Sequence, residues 1–241
     1  MRYFTDFHSH ILPEIDDGSS SVEESLAMLQ AERDQGIKSV VATPHFYAHH
    51  DSPERFLKRR AAARQRLLEA VPENMGLPEM VMGAEVHFFS GMSEIDCLQE
   101  LTISNSKCLL VEMPHGQWTE TMYRELEGMY VNHGVIPIIA HVDRYISPLQ
   151  THGIPERLSD LPVLVQANAG FFLNRWTEGM AIRMLKKGQI QLLGSDCHNM
   201  RSRPPRLGEA LAVIQKRTPK DMLNLLERNA QRVFEDAFFQ R

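Results

Sequence analysis

Residues 8–17 combine two histidines with three carboxylate side chains in the stretch HSHILPEIDD. His8 and His10 are two positions apart, and side chains alternate across a strand, so both imidazoles would project from the same face of an extended segment. This geometry allows two imidazoles to bind one metal ion. A histidine pair buried for structural reasons has the same spacing, so the pair needs support from other residues. Asp6 shares this alternation, and we expect it to point with the two histidines and orient an imidazole.

Further metal-ligating residue types stand directly after apolar runs elsewhere in the chain. Carboxylates at such positions could instead form ion pairs or cap helices, and residues 16–19 could form a turn. However, the sequence shows no nearby bases to pair with these acids. The histidines and carboxylates at the ends of apolar runs give eight candidate metal ligands: His8, His10, Asp17, His45, Glu85, His141, Asp196 and His198.

These candidates offer nitrogen and oxygen donors without a thiolate. Such a set suits Zn²⁺, Mn²⁺ or Fe ions rather than Ca²⁺ or an iron–sulfur cluster. Eight ligands exceed the needs of one ion. We therefore expect two or three divalent metal ions (Mn, Fe or Zn), with Glu85 as a bridge between them.

Short apolar or β-branched runs alternate with segments of helical spacing along the whole chain. The runs predict strands at residues 2–8, 38–43, 81–87, 107–112, 135–141, 163–167 and 190–195. Apolar residues at three- and four-residue intervals predict helices at residues 22–35, 54–71, 119–133, 177–188 and 206–236. Gly36, Gly134 and Gly188 stand where three of these helices should stop.

Apolar strands that alternate with helices predict a parallel sheet buried on both faces. Seven such units in 241 residues predict an α/β fold, a seven-stranded (β/α)7 barrel that forms a single domain over residues 1–241. A doubly wound open sheet is the structural alternative. In a parallel barrel the carboxyl ends of all strands meet at one rim, so the eight candidate ligands would converge there.

Composition argues against several classes of partner. The chain has 31 Asp and Glu against 26 Lys and Arg, a formal net charge of -5, which argues against nucleic acid or an anionic membrane as the main partner. The three cysteines contain no CxxC pair and predict neither a disulfide framework nor a thiolate zinc site. The first residues lack the layout of a signal peptide, and no apolar run is long enough for a membrane helix. We expect a cytoplasmic protein without direct membrane insertion.

Several motifs carry a resemblance to a known family. DFHSH, TPHF, GAEVHF, AHVDRY and GSDCHN, followed by SRPPRL, occur in this order and resemble the polymerase and histidinol phosphatase (PHP) superfamily. HSHILPEIDDG and SRPP narrow the resemblance to the bacterial CpsB/CapC/YwqE type of metal-dependent protein-tyrosine phosphatase. The resemblance covers nearly the whole chain. It implies a distorted seven-stranded barrel with a trinuclear metal site.

The resemblance also implies a role for each candidate ligand. The implied sets are His8, His10, Glu85 and Asp196 for one ion, Glu85, His45 and His141 for a second, and Asp17 with His198 for a third. Arg144 and Arg203 match the arginines that hold the substrate phosphate, although each could also be an ordinary surface guanidinium. The sequence departs from the family pattern at His87, where more varied residues are expected, and at Cys197, which lies between two ligands.

The activity implied by the resemblance is metal-dependent hydrolysis of phosphotyrosine on proteins. A metal-activated water would attack phosphorus while the arginines donate to the phosphoryl oxygens. A phenol, with a pKa of about 10, leaves without much help from a general acid. The implied partner is a membrane-associated bacterial tyrosine kinase that controls capsule or exopolysaccharide synthesis.

Three alternatives compete with this interpretation. Cys197 and Arg203 have the C-x5-R spacing of cysteine-dependent tyrosine phosphatases, but the loop lacks glycine and runs into Pro204, so a cradle of backbone N–H groups is hard to form. A small-molecule phosphatase of the histidinol-phosphate type would use the same ligands. The alternative from another class is a non-catalytic metal-bearing domain that binds or regulates a partner.

Overall fold

The computed structural model describes residues 2–72, 74–104, 106–146, 153–236 and 238. The strands within these ranges pair in parallel throughout. They are β1 (Phe4–Ser9), β2 (Ile37–Ala42), β3 (His45–Phe46), β4 (Glu79–Met82), β5 (Glu85–His87), β6 (Cys108–Glu112), β7 (Ile136–Ile139), β8 (Leu164–Asn168) and β9 (Leu192–Gly194). The predicted α/β architecture with a parallel sheet is thus confirmed.

The strands form two hydrogen-bonded sheets, with the orders β1-β2-β4 and β3-β5-β6-β7-β8-β9. The boundary lies at two short breaks, Thr43–Pro44 between β2 and β3, and Gly83–Ala84 between β4 and β5. Pro44 has no N–H to donate to a neighbouring strand. Bonds from the Gly83 N–H to the Ala42 carbonyl (2.8 Å) and from the Glu85 N–H to the Pro44 carbonyl (3.1 Å) carry the pairing across the breaks. The single strand predicted at residues 81–87 is therefore two strands.

The sheet curls so that the end of β1 lies beside the residues that follow β9. The Asp196 N–H donates to the His8 carbonyl at 2.8 Å, and the His10 N–H donates to the Cys197 carbonyl at 2.9 Å. Gly194 permits this approach, because a Cβ at that position would lie 2.5 Å from the Cβ of His8. The curl brings the first and the last candidate ligands of the chain together.

Helices connect the strands as the apolar spacing predicts. The helices are α1 (Val22–Asp34), α2 (Pro53–Ala70), α3 (Glu120–His133), α4 (Ile154–Leu158), α5 (Ala169–Leu173), α6 (Glu178–Lys186), α7 (Leu207–Arg217) and α8 (Asp221–Phe234). Ser21 and Ser52 cap α1 and α2 by accepting backbone N–H groups, and Gly134 ends α3 in the left-handed conformation. The single helix predicted at residues 206–236 is wrong, since Pro219 forces the residue before it out of the helical conformation.

Apolar side chains fill the inside of the curl and the space between sheet and helices. Inside the curl, strands and α8 contribute one buried cluster that includes Phe7, Val41, Leu110, Ile138, Leu164, Leu192 and Val233. Residues one position away on the same strands pack against the helices in a second, larger cluster. Both faces of the sheet are therefore buried, as parallel sheets require. No helix in the described ranges is both long and apolar enough to cross a bilayer.

Replacement of Gly194 by alanine tests the tight contact between β9 and β1. We expect Gly194→Ala to lower the free energy of unfolding by about 1–3 kcal/mol, because the new methyl group must displace His8. Urea unfolding followed by circular dichroism measures the change. Gly179→Ala is the matched control, since its Cβ meets no heavy atom within 4 Å and it lies in α6, where alanine is favoured. Equal stability of the two variants would contradict this account.

Candidate metal centre

The eight candidate ligands lie together at the carboxyl ends of the strands. Residues that end or follow a strand are His8, His10, Asp17, His141, Asp196 and His198, while His45 and Glu85 begin the short strands β3 and β5 beyond the two breaks. Ring and carboxylate contacts join all eight into one group. The structure therefore confirms the predicted convergence of these side chains.

Glu85 stands at the middle of this group and is almost fully buried, with 1% of its surface exposed. Its Oε2 atom lies 3.1 Å from His8 Nε2, 3.2 Å from His10 Nε2 and 3.1 Å from His45 Nδ1. Its Oε1 atom lies 2.9 Å from His141 Nε2. One carboxylate thus has four imidazole nitrogens around it, an arrangement compatible with the predicted bridging position.

Two further acids complete the group on either side of the histidines. Oδ1 of Asp196 lies 3.6 Å from Nε2 of both His8 and His10. Oδ1 of Asp17 lies 3.4 Å from His45 Nε2 and 3.5 Å from His198 Nε2. Asp17 is mostly exposed, whereas Asp196 is buried, so the group extends from the interior to the surface.

The backbone is strained at two of these positions. His141 (φ 31°) and Asp196 (φ 54°) adopt the left-handed conformation that few residues other than glycine adopt. Gln166 supports the first, because its Oε1 accepts the His141 N–H at 2.6 Å and lies 3.3 Å from His8 Nδ1. Such strain costs about 1–3 kcal/mol per residue and persists where surrounding contacts hold the chain in place. Here the His141 side chain lies against Glu85, and the Asp196 side chain lies beside His8 and His10.

Two acids that sequence analysis did not assign also belong to the site. Glu112, the last residue of β6, places Oε1 3.5 Å from His141 Nε2 and Oε2 3.1 Å from His87 Nδ1. Asp16 accepts from His10 Nδ1 at 2.8 Å and from the His45 N–H at 2.9 Å. The position of Glu112 at a strand end was a usable signal. For the stretch that contains Asp16 a turn was one possible interpretation, and only the fold shows that this stretch contacts His10.

Asp16 and Gln166 control which ring nitrogens face the centre. Each occupies the Nδ1 side of an imidazole, so Nε2 of His10 and of His8 is left to face Glu85. Histidine ligands in metal sites usually have such a partner on the outer nitrogen. Gly18 lets the Asp16 loop approach, because a Cβ there would lie 2.2 Å from the His10 carbonyl oxygen.

The expectation that Asp6 points with the two histidines is wrong. The pairing of β1 with β2 shifts register between Asp6 and Ser9, and this irregularity breaks the alternation of side chains. Asp6 instead accepts the backbone N–H groups of His8 (3.0 Å) and Ser195 (2.9 Å) through Oδ1. It is buried beside Glu32 of α1 and holds the ends of β1 and β9 in place.

The carboxylates hold protons on two imidazoles of the site, those of His10 and His141. Burial opposes the charged form of His10, yet its contacts with Asp16 and Glu85 outweigh burial and raise its pKa to about 10. In the same way, Glu112 and Glu85 raise the pKa of His141 to about 9 against the effect of burial. Although burial works in the opposite direction, the imidazoles keep the pKa of Glu85 well below its usual range. Cations bound at these nitrogens would replace protons.

The two predicted phosphate-binding arginines lie at the edge of the site. Arg203 donates through Nη2 to Asp196 Oδ1 at 2.7 Å, and Arg144 donates to the other oxygen of the same carboxylate. Arg144 also approaches Glu112 Oε1 at 3.6 Å. The expectation that no base lies near these acids is therefore wrong for Asp196. Both guanidinium groups remain about one-third exposed, which leaves them accessible to a bound ligand.

The loop of the alternative C-x5-R motif lacks the properties of a cysteine-dependent phosphatase. Cys197 is fully buried, and burial raises the pKa of its thiol well above the usual value, so the thiol stays protonated. The N–H groups of residues 201–203 all donate to Asn199 Oδ1 at 2.8–3.2 Å. The N–H of His198 donates to the Arg203 carbonyl at 2.9 Å. These amides are occupied and form no cradle for a phosphate.

The donor set fits divalent cations. Several buried polar atoms of the site make no hydrogen bond of normal geometry within the described residues: Glu85 Oε2, His45 Nδ1, His141 Nδ1 and His198 Nε2. Nε2 of His8 and Nε2 of His10 also face each other at 3.1 Å. Three overlapping groups have all their ligand atoms within 4.8 Å of one another: His8, His10 and Glu85; His45, Glu85 and Glu112; and His10, Asp17, His45 and His198.

Comparison with known proteins places the chain in a family. Residues 4–235 match the family model described as capsular polysaccharide synthesis, CpsB/CapC. The chain belongs to the CpsB/CapC family. Among relatives in this family, tyrosine-protein phosphatase CpsB of Streptococcus agalactiae serotype III (strain NEM316) is 25% identical over 244 residues, which cover 97% of this chain and 99% of the relative. Tyrosine-protein phosphatase YwqE of Bacillus subtilis (strain 168) is 27% identical over 236 residues, which cover 94% of this chain and 89% of the relative.

Solved structures share the fold of this CpsB/CapC family member. The crystal structures of YwqE from Bacillus subtilis and CpsB from Streptococcus pneumoniae, described as unique metal-dependent tyrosine phosphatases, include a chain that matches with a TM-score of 0.79 at 22% identity, covering 99% of this chain and 97% of that one. The phosphotriesterase from Mycobacterium tuberculosis matches with a TM-score of 0.54 at 12% identity, covering 97% and 94%. These likenesses support the curled parallel α/β fold.

Removal of the central carboxylate charge tests the candidate centre. We expect Glu85→Gln to lower the affinity for divalent metal by at least about tenfold, because a neutral amide is a poor substitute for a bridging carboxylate. Plasma mass spectrometry after dialysis against Mn²⁺ measures the bound metal. Glu127→Gln, at an exposed position of α3, is the control and should bind as much metal as the wild type. Unchanged metal content in Glu85→Gln would show that Glu85 is not a ligand.

The raised histidine pKa values predict how the stability of chelator-treated protein depends on pH. The folded pKa values of His10 and His141, about 10 and about 9, lie above the ordinary value of 6.5, so the contribution of these imidazoles is fully present below pH 6.5. We expect the free energy of unfolding to fall as pH rises from about 6.5 to about 10. Urea titrations in the presence of chelator measure this profile. A stability that rises over the same interval would contradict the contacts described here.

Proposed function

We propose that the chain is a metal-dependent phosphomonoesterase that hydrolyses phosphotyrosine on proteins. The observation that carries this proposal is the convergence of eight candidate ligands around the buried carboxylate of Glu85, with Arg144 and Arg203 beside them. The names of its CpsB and YwqE relatives, both tyrosine-protein phosphatases, support the substrate class.

The proposed cofactors are two or three divalent ions, Mn, Fe or Zn. Their proposed ligands are the eight predicted residues, and Glu112 is added because it shares a ligand group with His45 and Glu85. Mixed nitrogen and oxygen donors without thiolate support first-row metals. When bound, such ions lower the pKa of a coordinated water and neutralise phosphoryl oxygens.

We propose that the protein side chains orient the imidazoles of the site and neutralise the charge on the phosphoryl oxygens. Asp16 and Gln166 fix the orientation of His10 and His8, so that the Nε2 atoms face the centre. Arg144 and Arg203, which Asp196 holds at the edge, would donate N–H groups to the phosphoryl oxygens and stabilise their charge in the transition state. The phenol of tyrosine, with a pKa of about 10, needs no dedicated general acid to leave.

We also propose how the strands form a barrel. The two breaks divide what would otherwise be two longer strands, and the end of β1 is hydrogen-bonded to the residues that follow β9. These contacts support a distorted seven-stranded (β/α)7 barrel of the PHP type. We propose that residues 1–241 form a single phosphatase domain, which the family match over residues 4–235 supports.

The proposed physiological substrate is a membrane-associated bacterial tyrosine kinase that controls capsule or exopolysaccharide synthesis. The description of the family as capsular polysaccharide synthesis supports the pathway. The net charge of -5 supports the proposal that no nucleic acid is bound. We propose a cytoplasmic location, where the phosphotyrosines of such a kinase would be accessible.

Activity on phosphotyrosine peptides tests the proposal directly. We expect Mn²⁺-loaded protein to release phosphate from a phosphotyrosine peptide much faster than from histidinol phosphate, and chelated protein to be inactive. We expect Arg203→Ala to reduce kcat/KM by about 100-fold with normal metal content, because a donor to the phosphoryl oxygens is lost. Phosphate release and metal analysis on the same samples measure both quantities.

Cys197→Ser is the control for the rival mechanism. We expect it to keep most of the activity, because the thiol is buried and protonated. An inactive serine variant with normal metal content would contradict the metal-dependent mechanism. If metal-loaded protein cleaves neither the phosphotyrosine peptide nor histidinol phosphate, the non-catalytic alternative is favoured.

A further inference from the structure

A cavity of about 310 Å³ opens beside the candidate metal centre. It is lined by His45, Tyr47, His50, Asp51, Arg55 and Arg59. His45 lines the cavity and also contacts Glu85, so the cavity adjoins the centre at this side chain. We call this cavity the side pocket. Its outer end is built from the first turns of α2 and the residues before that helix.

The side pocket carries a net positive charge at its outer end. Asp51 lies 3.0 Å from Arg55 Nε through Oδ1 and 2.7 Å from Arg59 Nη2 through Oδ2. One carboxylate thus holds two guanidinium groups, which leaves one positive charge uncompensated. Asp51 is largely covered at 11% exposure, whereas the arginine side chains are 69% and 48% exposed. The solvent-exposed charge at this end is therefore the positive charge of Arg55 and Arg59.

The dipole of α2 does not favour a cation at the position of Arg55. This residue lies in the first turn of the helix, where the helix dipole disfavours a cation. Arg59 is anchored to the protein, since its Nη1 donates to the Ile15 carbonyl at 3.1 Å. The guanidinium group of Arg55 makes, among the described residues, a polar contact through Nε alone. Its two terminal nitrogens are suited to bind an anion in a bidentate manner.

An aromatic wall connects the centre with the arginines. The ring of Tyr47 lies 5.4 Å from the ring of His45 and 5.5 Å from that of His87. On its other side it meets the ring of His50 at 6.2 Å. A polypeptide whose phosphate lies at the metal centre would pass along Tyr47 before it reaches Arg55 and Arg59.

Resting on the proposed function, we propose that the side pocket binds the carboxylate of an acidic residue that flanks the phosphotyrosine, so that acidic phosphotyrosine segments are the preferred substrates. Arg55 is the main donor to this carboxylate, and Arg59 adds a second positive charge. The phosphate and the carboxylate are then held at two separate positions, which selects a polypeptide substrate over a small phosphate ester.

Binding of a matched peptide pair tests the proposal without turnover. Both peptides carry a non-hydrolysable phosphonate analogue of phosphotyrosine, and they differ only in having Glu or Gln at the flanking positions. We expect the Glu peptide to bind Mn²⁺-loaded wild-type protein about five-fold more tightly, with a ratio that falls as salt is added. Fluorescence anisotropy measures the two Kd values. Arg55→Gln should bring the ratio of the two Kd values close to one. Arg55→Glu should bind a third peptide, with Lys at the flanking positions, more tightly than the Glu peptide.

Arg64→Gln is the matched control, since Arg64 is exposed on α2 and does not line the pocket. It should keep the wild-type ratio. If both peptides bind the wild type equally well, the side pocket does not recognise acidic residues and the proposed phosphatase function stands. If neither peptide binds, both proposals are wrong. Retention of the preference by Arg55→Gln would also overturn the assignment of this pocket.

Discussion

The site depends on one buried carboxylate that four imidazoles surround. Glu85 is 1% exposed, and burial of a charge without compensation is very costly. Nitrogens of His8, His10, His45 and His141 within 3.2 Å supply that compensation. His8 and His10 come from the end of β1, His45 from the start of β3 and His141 from the residues after β7, so Glu85 is compensated only when these three segments converge. The curl of the sheet brings them together.

A second acid links the candidate metal ligands to the arginines. Asp196 contacts the Nε2 atoms of His8 and His10 through Oδ1, and it accepts from Arg144 and Arg203. Its left-handed backbone turns the carboxylate toward both sets of partners. The candidate metal centre and the two arginines thus share one carboxylate side chain.

The sequence predicts the convergence of the eight candidates because alternation and parallel pairing are regular properties of strands. It fails where local geometry departs from regularity. The register shift in β1 turns the Asp6 side chain away from the His8 ring, and Gly83 interrupts the strand that the apolar pattern predicts as continuous over residues 81–87. The sequence did not predict the contact between Asp16 and His10, because the residue types of a turn do not show which side chain the turn will contact. These departures depend on contacts between segments far apart in the chain.

The central claim is that these side chains hold divalent cations. Crystals of protein purified with Mn²⁺, measured at the manganese absorption edge, give the most direct test through anomalous density. We expect two or three peaks at about 2.0–2.4 Å from the ligand atoms of the site, with the Glu85 carboxylate between two of them. Density confined to another location, such as the buried group of Asp6, Glu32 and Cys197, would contradict the account, as would the absence of any peak.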